Sequence, residues 1–521
     1  MAYKHGVYNT EQATSLTVPI QGSAGLQVIF GTAPIHLAKD PAAAVNTPKL
    51  VYSYKEAVEA VGYSDDFENF TLCQSISACF QVFNVAPIIL VNVLDPNKAA
   101  HVTQNQAESC DVVDGVVLYD KKYVLLNTLA VKNGSATLVA GSDYEAAHED
   151  DGSVAITLLS TAAKEASSLT VSSTSLKPSG VTAADIVGGV DTSTGKETGL
   201  ELIRQIYPTL GMVPGLILAP GWSHTPTVAA ALQAKTENIN GNFNCSCLLD
   251  ISADSDGAVV YTSVKGAKEA LGASSAHAAA LWPMVAVGEK KYYFSAMFAA
   301  LTAYTDANNA DVPYESPSNK DLRITATVLK DGTTVALDQQ QANDVLNANG
   351  VITAINANGF KSWGNNTAAY PSTTDPKDRW WAVRRFFDWD GNNFIQTYFQ
   401  KVDKPGNKRL IQSIVDSQNI IGNGYVARDY CAGYRVEFRS DENPVTNLLA
   451  GHLTVHTYLA PYIPAEYIEN IREYDVDALE SAIGVLQTKV NRKNEKSPAK
   501  FTRPKMGITK QAGEKSHRQP G

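Results

Sequence analysis

An α/β architecture joined to separate β structure, spread over several domains, is what this sequence predicts. Three observations carry that expectation. Strand-like and helix-like runs alternate over residues 25–100 and again over 199–303, the pattern of a parallel sheet with covering helices. Between these regions, residues 101–190 are rich in Val, Thr, Ser and Gly, with short alternating runs separated by Asn-Gly, Gly-Ser and Asp-Gly turns, which predicts a small inserted β-sandwich or barrel. Near the end, residues 452–474 (HLTVHTYLAPYIPAEYIENIREY) place Leu453, Val455, Thr457 and Leu459 at every second position, the period of a strand with two different faces. Pro461 and Pro464 then force a turn, and residues 465–474 read as a second strand pairing back. A lone hairpin is marginal in water and exposes unpaired backbone, so it requires partners from elsewhere in this chain or from another chain.

Taken in order, residues 1–24 hold a short strand pattern at Val7 and Tyr8 and too few apolar side chains for a core, so they read as an extended arm. Residues 25–32 (GLQVIFGT) form a buried-strand pattern, 49–61 a strand and then a helix, and 70–83 an apolar repeat at helical spacing. The run IILVNVL at 88–94 is a central strand, which completes a βαβ-like unit. Within 101–190, strands are expected at 112–118, 123–126, 136–140, 154–158 and 168–171. Residues 200–206 read as helix, 215–218 as strand, 226–239 as helix, 244–251 as strand, 254–272 as loop and helix, and 279–287 as strand. Short strands with turns at Asp331-Gly332 and Asn349-Gly350 are expected over 322–358, and an amphipathic helix over 407–421.

Composition bounds the function. A chain of 521 residues with 44% hydrophobic and 18% charged residues is expected to be soluble and to hold roughly three to four domains. No apolar run approaches a membrane span, and the opening MAYKHGVYNTEQ lacks the pattern of a secretory signal, so folding in a cytoplasm is expected. The formal charge of −10 is uneven: residues 487–521 carry ten Lys or Arg against two Glu, a net +8, which leaves −18 on the rest. An acidic body argues against nucleic acid as its main partner. The six cysteines are not spaced as a disulfide framework and are expected to be reduced and mostly buried.

Candidate chemistry is thin. Ser223 and His224 are adjacent, so their side chains point apart in an extended loop, and no G-x-S-x-G elbow surrounds the serine. Asp388, Asp390 and Asn392, and Asp254 and Asp256, resemble fragments of a calcium loop without its closing Glu, and turn formation is the better account. Cys245 and Cys247 share a strand face but have no second pair to complete a tetrahedral metal site, and His452 and His456 lack the reach of a helical pair. Trp380, Trp381, Arg384 and Arg385 are assigned to packing and interfaces rather than to stacking on bases. No phosphate-cradling glycine loop is present, so no catalytic residue, metal or cofactor is expected.

Several segments taken together resemble the sheath proteins of contractile injection systems, the tail sheaths of contractile bacteriophages and R-type bacteriocins. They are HGVY with GLQVIFGTAP after it, IILVNVLDP, LAPGWSHTPTVAAALQAKTENIN followed by a strand and Asp250, PSNKDL from Pro317, GFKSWGNNT at Gly359, WWAVRRFFDW, and HLTVHTYLAPYIPAEYIENI. Their order over about residues 5–480 is the specific part of the likeness. The resemblance implies an N-terminal arm (1–24), an α/β segment packing with the core (25–100), a β-sandwich domain (101–195), a subtilisin-like α/β domain without the catalytic triad (196–368), an α+β domain (369–475), and a C-terminal arm with basic tail (476–521). It implies strand exchange between subunits through Val7, Tyr8, Leu453, Val455, Thr457, Leu459, Ile468 and Ile471, and a tube contact at Lys404, Lys408 and Arg409. The implied function is a non-enzymatic subunit that polymerises helically, in stacked six-fold rings, around a rigid tube. It contracts to drive the tube through a cell envelope. The implied partners are further copies of itself, the tube protein, and baseplate and tail terminator proteins, with no direct nucleic-acid contact and no membrane insertion. Assembly would be in a bacterial cytoplasm, into a virion tail or injection machine. Residues 487–521 depart from the family pattern. The competing readings are a hydrolase on a subtilisin-like fold and a static tube or surface-lattice protein.

Overall fold

The structure, a computed structural model, describes residues 24–491. The expected arm through residue 23, with Val7 and Tyr8, and the basic tail from residue 492 lie outside the described residues. Two compact units divide the chain, residues 1–464 and 465–521.

Six parallel strands form the centre of the first unit. Across the sheet they run Ile88–Asn92, Gln27–Gly31, Leu216–Leu218, Ser246–Asp250, Ala278–Leu281 and Val351–Asn356, with antiparallel Lys49–Val51 and Phe360–Trp363 at the two edges. Five of the six parallel strands are buried along their whole length, because helices cover a parallel sheet on both faces and leave no solvent side. Ile88–Asn92 therefore lies inside the sheet as expected, one strand from its edge. The order reverses between Gln27–Gly31 and Leu216–Leu218, the place where a doubly wound sheet opens a cleft at its strand ends. The run 279–287 is not one strand: Ala278–Leu281 joins this sheet, while Met284–Val287 joins a three-stranded sheet with Lys290–Tyr292 and Ala326–Val328. Residues 339–349, within the stretch expected as short strands, are helical turns.

A helix absent from the sequence reading, Phe294–Asn308, packs against this sheet with eleven buried residues. It is apolar nearly all round, so it shows no amphipathic period.

A seven-stranded antiparallel sheet is built from residues 102–176, in the order Ala136–Thr137, Ala130–Asn133, Ser168–Leu176, Val102–Val113, Val116–Tyr119, Val154–Leu158 and Tyr144–His148. Val117, Tyr119, Val131, Ile156 and Val171 belong to a core of its own. The expected strand 112–118 contains the turn at Asp114-Gly115, both at positive φ, and joins two strands. Residues 123–126 make only an isolated bridge, Val124 to Ser175. The chain enters and leaves this sheet side by side: the Lys177 amide donates to the His101 carbonyl at 2.7 Å. A Cβ at Gly180 would stand 1.8 Å from the Ala100 carbonyl oxygen, so only glycine permits that approach.

The C-terminal part of the first unit holds the helices Trp381–Tyr398 and Lys408–Ala427 and a two-stranded antiparallel sheet, Cys431–Glu437 with His456–Pro461. Two sequence expectations are corrected here. DWDGNN is helix interior rather than a turn, because Asp388 and Asp390 are buried and hydrogen-bonded, which outweighs the cost of Gly391 in a helix. The strand near the C-terminus pairs with Cys431–Glu437, not with residues 465–474. In the second unit, residues 465–475 carry neither strand nor helix, and Val476–Asn491 is helical. No helix among the described residues is long and apolar enough to cross a membrane.

Candidate assembly surface

The cleft at the sheet's reversal is where an enzyme of this topology would place its chemistry, and Trp222, His224, Tyr293 and Lys330 line it. Ser223 and His224 are not paired with each other there. The Ser223 hydroxyl is buried and donates to Asp250 Oδ2 at 2.8 Å, while the Asp250 amide donates back to it at 3.0 Å. Ser295 donates to the same carboxylate through its amide (2.8 Å) and its hydroxyl (2.5 Å). Burial pushes the Asp250 carboxyl up to about 6 against these hydrogen bonds. His224 stacks on Tyr293, with ring centroids 5.5 Å apart and planes 2° from parallel. The arrangement ties strand ends to the Phe294–Asn308 helix and presents no activated hydroxyl.

The other chemical candidates are also occupied by structural contacts. Asp254 accepts from the Ser252 hydroxyl at 2.7 Å and from the Asp256 amide at 3.1 Å, and pairs with Lys330 at 3.2 Å. Cys245 and Cys247 are buried and free, and burial raises both thiols well above their ordinary range. No group of His, Cys, Asp and Glu able to hold a metal occurs among the described residues. His456 pairs with Glu442 at 2.7 Å, outside any histidine pair. In WWAVRRFFDW the packing assignment holds. Trp381 is fully buried, the Arg379 guanidinium lies 4.1 Å over the Trp380 ring, and Arg385 is buried against Asp306 with Nη1 to Oδ1 at 3.2 Å.

The two-stranded sheet stands on the Lys408–Ala427 helix. That helix begins at Asn407, whose side chain accepts the Leu410 amide at 2.9 Å, a cap of about 1 kcal/mol. Gly422 lets the sheet approach: a Cβ there would lie 2.0 Å from Tyr434 Cδ1. The Tyr434 hydroxyl donates to both oxygens of Asp390 at 3.1 Å and accepts from Gln418 at 2.5 Å, in a site dry enough to push the Asp390 carboxyl up to about 7. Around it pack Phe386, Trp389, Tyr425, Val436 and Ala24, with Val455 and Leu459 at the margin.

The predicted site residues fall into separate groups. Leu453, Val455, Thr457 and Leu459 are all half-buried and show the expected alternation, although the regular strand begins only at His456. Ile468 and Ile471 lie in the second unit and are more than four-fifths exposed, in a run with exposed Tyr467 and Tyr474. Lys404, Lys408 and Arg409 are exposed together around the start of the Lys408–Ala427 helix. Sequence reasoning missed the partner strand Cys431–Glu437, whose alternation in CAGYRVE was the available signal.

The architecture is a large α/β sheet carrying a second antiparallel sheet and ending in an edge-exposed pair of strands. The chain is 27% identical over 473 residues to the tail sheath protein of Burkholderia phage BcepMu, covering 88% of this chain and 94% of that one. It is 25% identical over 304 residues to the tail sheath protein of Escherichia phage P2, covering 55% and 69%. In fold it matches a chain of the helical sheath of the anti-feeding prophage in its contracted state, with a TM-score of 0.53 at 15% identity over 91% of this chain and all of that one. No family model matches the chain. The chain is thus a relative of the contractile tail sheath proteins.

Proposed function

We propose that this chain is the structural subunit of a contractile tail sheath. It polymerises helically around a rigid tube by exchanging strands between subunits, and it shortens on a baseplate signal to drive the tube through a cell envelope. The observation that carries this reading is the C-terminal sheet: only two strands, an outer edge without backbone partners among the described residues, and at least 23 residues of chain preceding Ala24, which packs in the same core. Main-chain hydrogen bonds made by strand addition survive while subunits rotate against one another. The long likeness to the sheath protein of BcepMu supports the same reading.

On this reading the finer organisation follows the resemblance. Residues 101–195 are a β-sandwich domain, 196–368 a subtilisin-like domain without its triad, and 369–475 the α+β domain, with arms at 1–24 and 476–521. Val7 and Tyr8 of one copy add a strand to the C-terminal sheet along the run that holds Leu453, Val455, Thr457 and Leu459, and Ile468 and Ile471 of another copy extend that sheet further. Lys404, Lys408 and Arg409 face the tube, and baseplate and terminator proteins bound the stacked six-fold rings. No cofactor and no catalysis are required, since energy is stored in assembly and released as interfaces repack.

Electron microscopy of the purified chain tests this. Hollow cylinders with helical striations are expected, in one of two lattice geometries, and a single geometry under all conditions would favour a static tube. Removal of residues 1–20 should leave a folded monomer that does not polymerise. Ser223→Ala and His224→Ala should assemble normally, and a hydrolytic activity lost in both would restore the enzyme reading.

A further inference from the structure

We propose that Asn419 closes one edge of the C-terminal sheet, so that an incoming strand is accepted only along Val455, Thr457 and Leu459. The occupant is the segment of residues 1–23 from a second copy. This rests on the strand-exchange reading above and adds which edge is used and what selects it.

Backbone direction distinguishes the two edges. In an antiparallel pair the N–H and C=O of one residue point to the same side, and successive residues alternate. The Val436 amide donates to Asn419 Oδ1 at 2.9 Å, and Asn419 Nδ2 donates to the Val436 carbonyl at 2.9 Å. The side-chain amide thus stands where the backbone of a third strand would stand. Its second N–H is spent on the Val415 carbonyl one helical turn back, at 2.9 Å, which fixes its orientation. The outer edge of Cys431–Glu437 is closed at Val436, one residue from the end of the strand.

The opposite edge follows from the register. Val436 faces Thr457, so with both Val436 groups turned outward the pair is of the non-hydrogen-bonded kind, and the Thr457 N–H and C=O also point away from the sheet. Leu459, two residues on, shares that direction. At Thr454 both groups point inward, because Asn443 occupies them: the Thr454 amide donates to Asn443 Oδ1 and Asn443 Nδ2 donates to the Thr454 carbonyl, each at 2.8 Å. Val455 therefore points outward with Thr457 and Leu459. No hydrogen bond among the described residues uses the backbone groups of these three. One edge is closed by an asparagine, and the other offers three donor–acceptor pairs in a row.

The chain enters the described fold beside this sheet. Ala24 packs in the core beneath this sheet, and its carbonyl accepts from Arg385 Nη2 at 2.9 Å. At least 23 residues precede it, an extended reach of up to about 75 Å, longer than the sheet they leave and enough to extend to a neighbouring copy packed against it.

The test uses full-length protein carrying a photo-crosslinking residue at Tyr8, assembled from an equal mixture of light and heavy isotopic copies. Mass spectrometry of the crosslinked peptides then locates the contact. Light–heavy crosslinks on residues 455–461 are expected. Crosslinks on 431–437 would overturn edge selection while leaving strand exchange intact, and crosslinks confined to single copies would overturn the second copy as occupant. Crosslinks to neither strand would remove both the exchange reading and this proposal. Asn419→Ala should raise the ratio of 431–437 to 455–461 crosslinks about tenfold, the effect of freeing roughly one hydrogen bond's worth of competition. The unsubstituted protein decides the matter even if that variant fails to fold.

Discussion

Gly422→Ala isolates the approach of the C-terminal sheet to its supporting helix. An added Cβ meets Tyr434 at 2.0 Å from Cδ1 and 2.3 Å from Cγ, distances that no rotation of the new methyl relieves. The tyrosine cannot retreat freely, since its hydroxyl is held by Asp390 and Gln418. Overpacking of this kind costs about 1–3 kcal/mol, and displacing the hydroxyl adds about 1 kcal/mol for each hydrogen bond lost. Against this, alanine is favoured over glycine in a helix by about 1 kcal/mol. The balance is a loss of about 2–4 kcal/mol. Gly424 is the control, because its Cβ would meet only Arg428 Nη2 at 3.5 Å, so Gly424→Ala should stabilise the same helix by about 1 kcal/mol. Native-state hydrogen exchange of the 408–427 amides reads both, and about 2–4 kcal/mol corresponds to a roughly 30- to 1,000-fold loss of protection. Equal protection in the two variants, or a more protected Gly422→Ala, would refute the reasoning.

Three further outcomes are expected. Asp390 has its folded value raised to about 7, above the unfolded carboxylate value of about 4, so the native state holds the extra proton between these limits. The stability of the 408–427 helix should be greatest near the acid end of that window and fall as pH rises through about 7, and Asp390→Asn should flatten the profile. Arg385→Leu leaves the Asp306 carboxylate buried without its guanidinium, at a cost of about 3–5 kcal/mol, read as a drop in the urea midpoint. Of the six cysteines only Cys110 is not buried, and burial pushes Cys73 and Cys79 up to about 12, so a thiol reagent should modify one fast in native protein and six after unfolding.

Much of the α/β sheet was legible because a strand buried on both faces must be a short continuous apolar run, as in QVIFG and IILVN. The same burial hid Phe294–Asn308, which is covered nearly all round and has no period to read. Val102–Val113 escaped for the opposite cause: its faces carry TQNQAES and few apolar residues, so alternation is faint. Asp-Gly in DWDGNN is a turn signal that long-range hydrogen bonds overrule, from Tyr434 to Asp390 above all. At the assembly surface the inward face of Val455 to Leu459 was readable from its period of two. Its partner strand, set off by the short helix Val445–Leu449, was signalled only by the alternation in CAGYRVE, and the side-chain closure by Asn419 has no sequence signature, since it depends on where a helix brings one amide.

The side-by-side crossings at His101 and Lys177 bring both chain ends of the seven-stranded sheet to one place, with Tyr123 to Asp66 at 2.6 Å as a further contact. Because both chain ends return to the same place, changes in the loops that do not contact the α/β part should leave the register of the eight-stranded sheet unshifted. The joint is braced from the other side by Asp185, which pairs with Lys98 at 2.7 Å and His101 at 3.4 Å. A foreign domain whose termini lie close together should fit the same attachment and leave the order of the eight-stranded sheet unchanged.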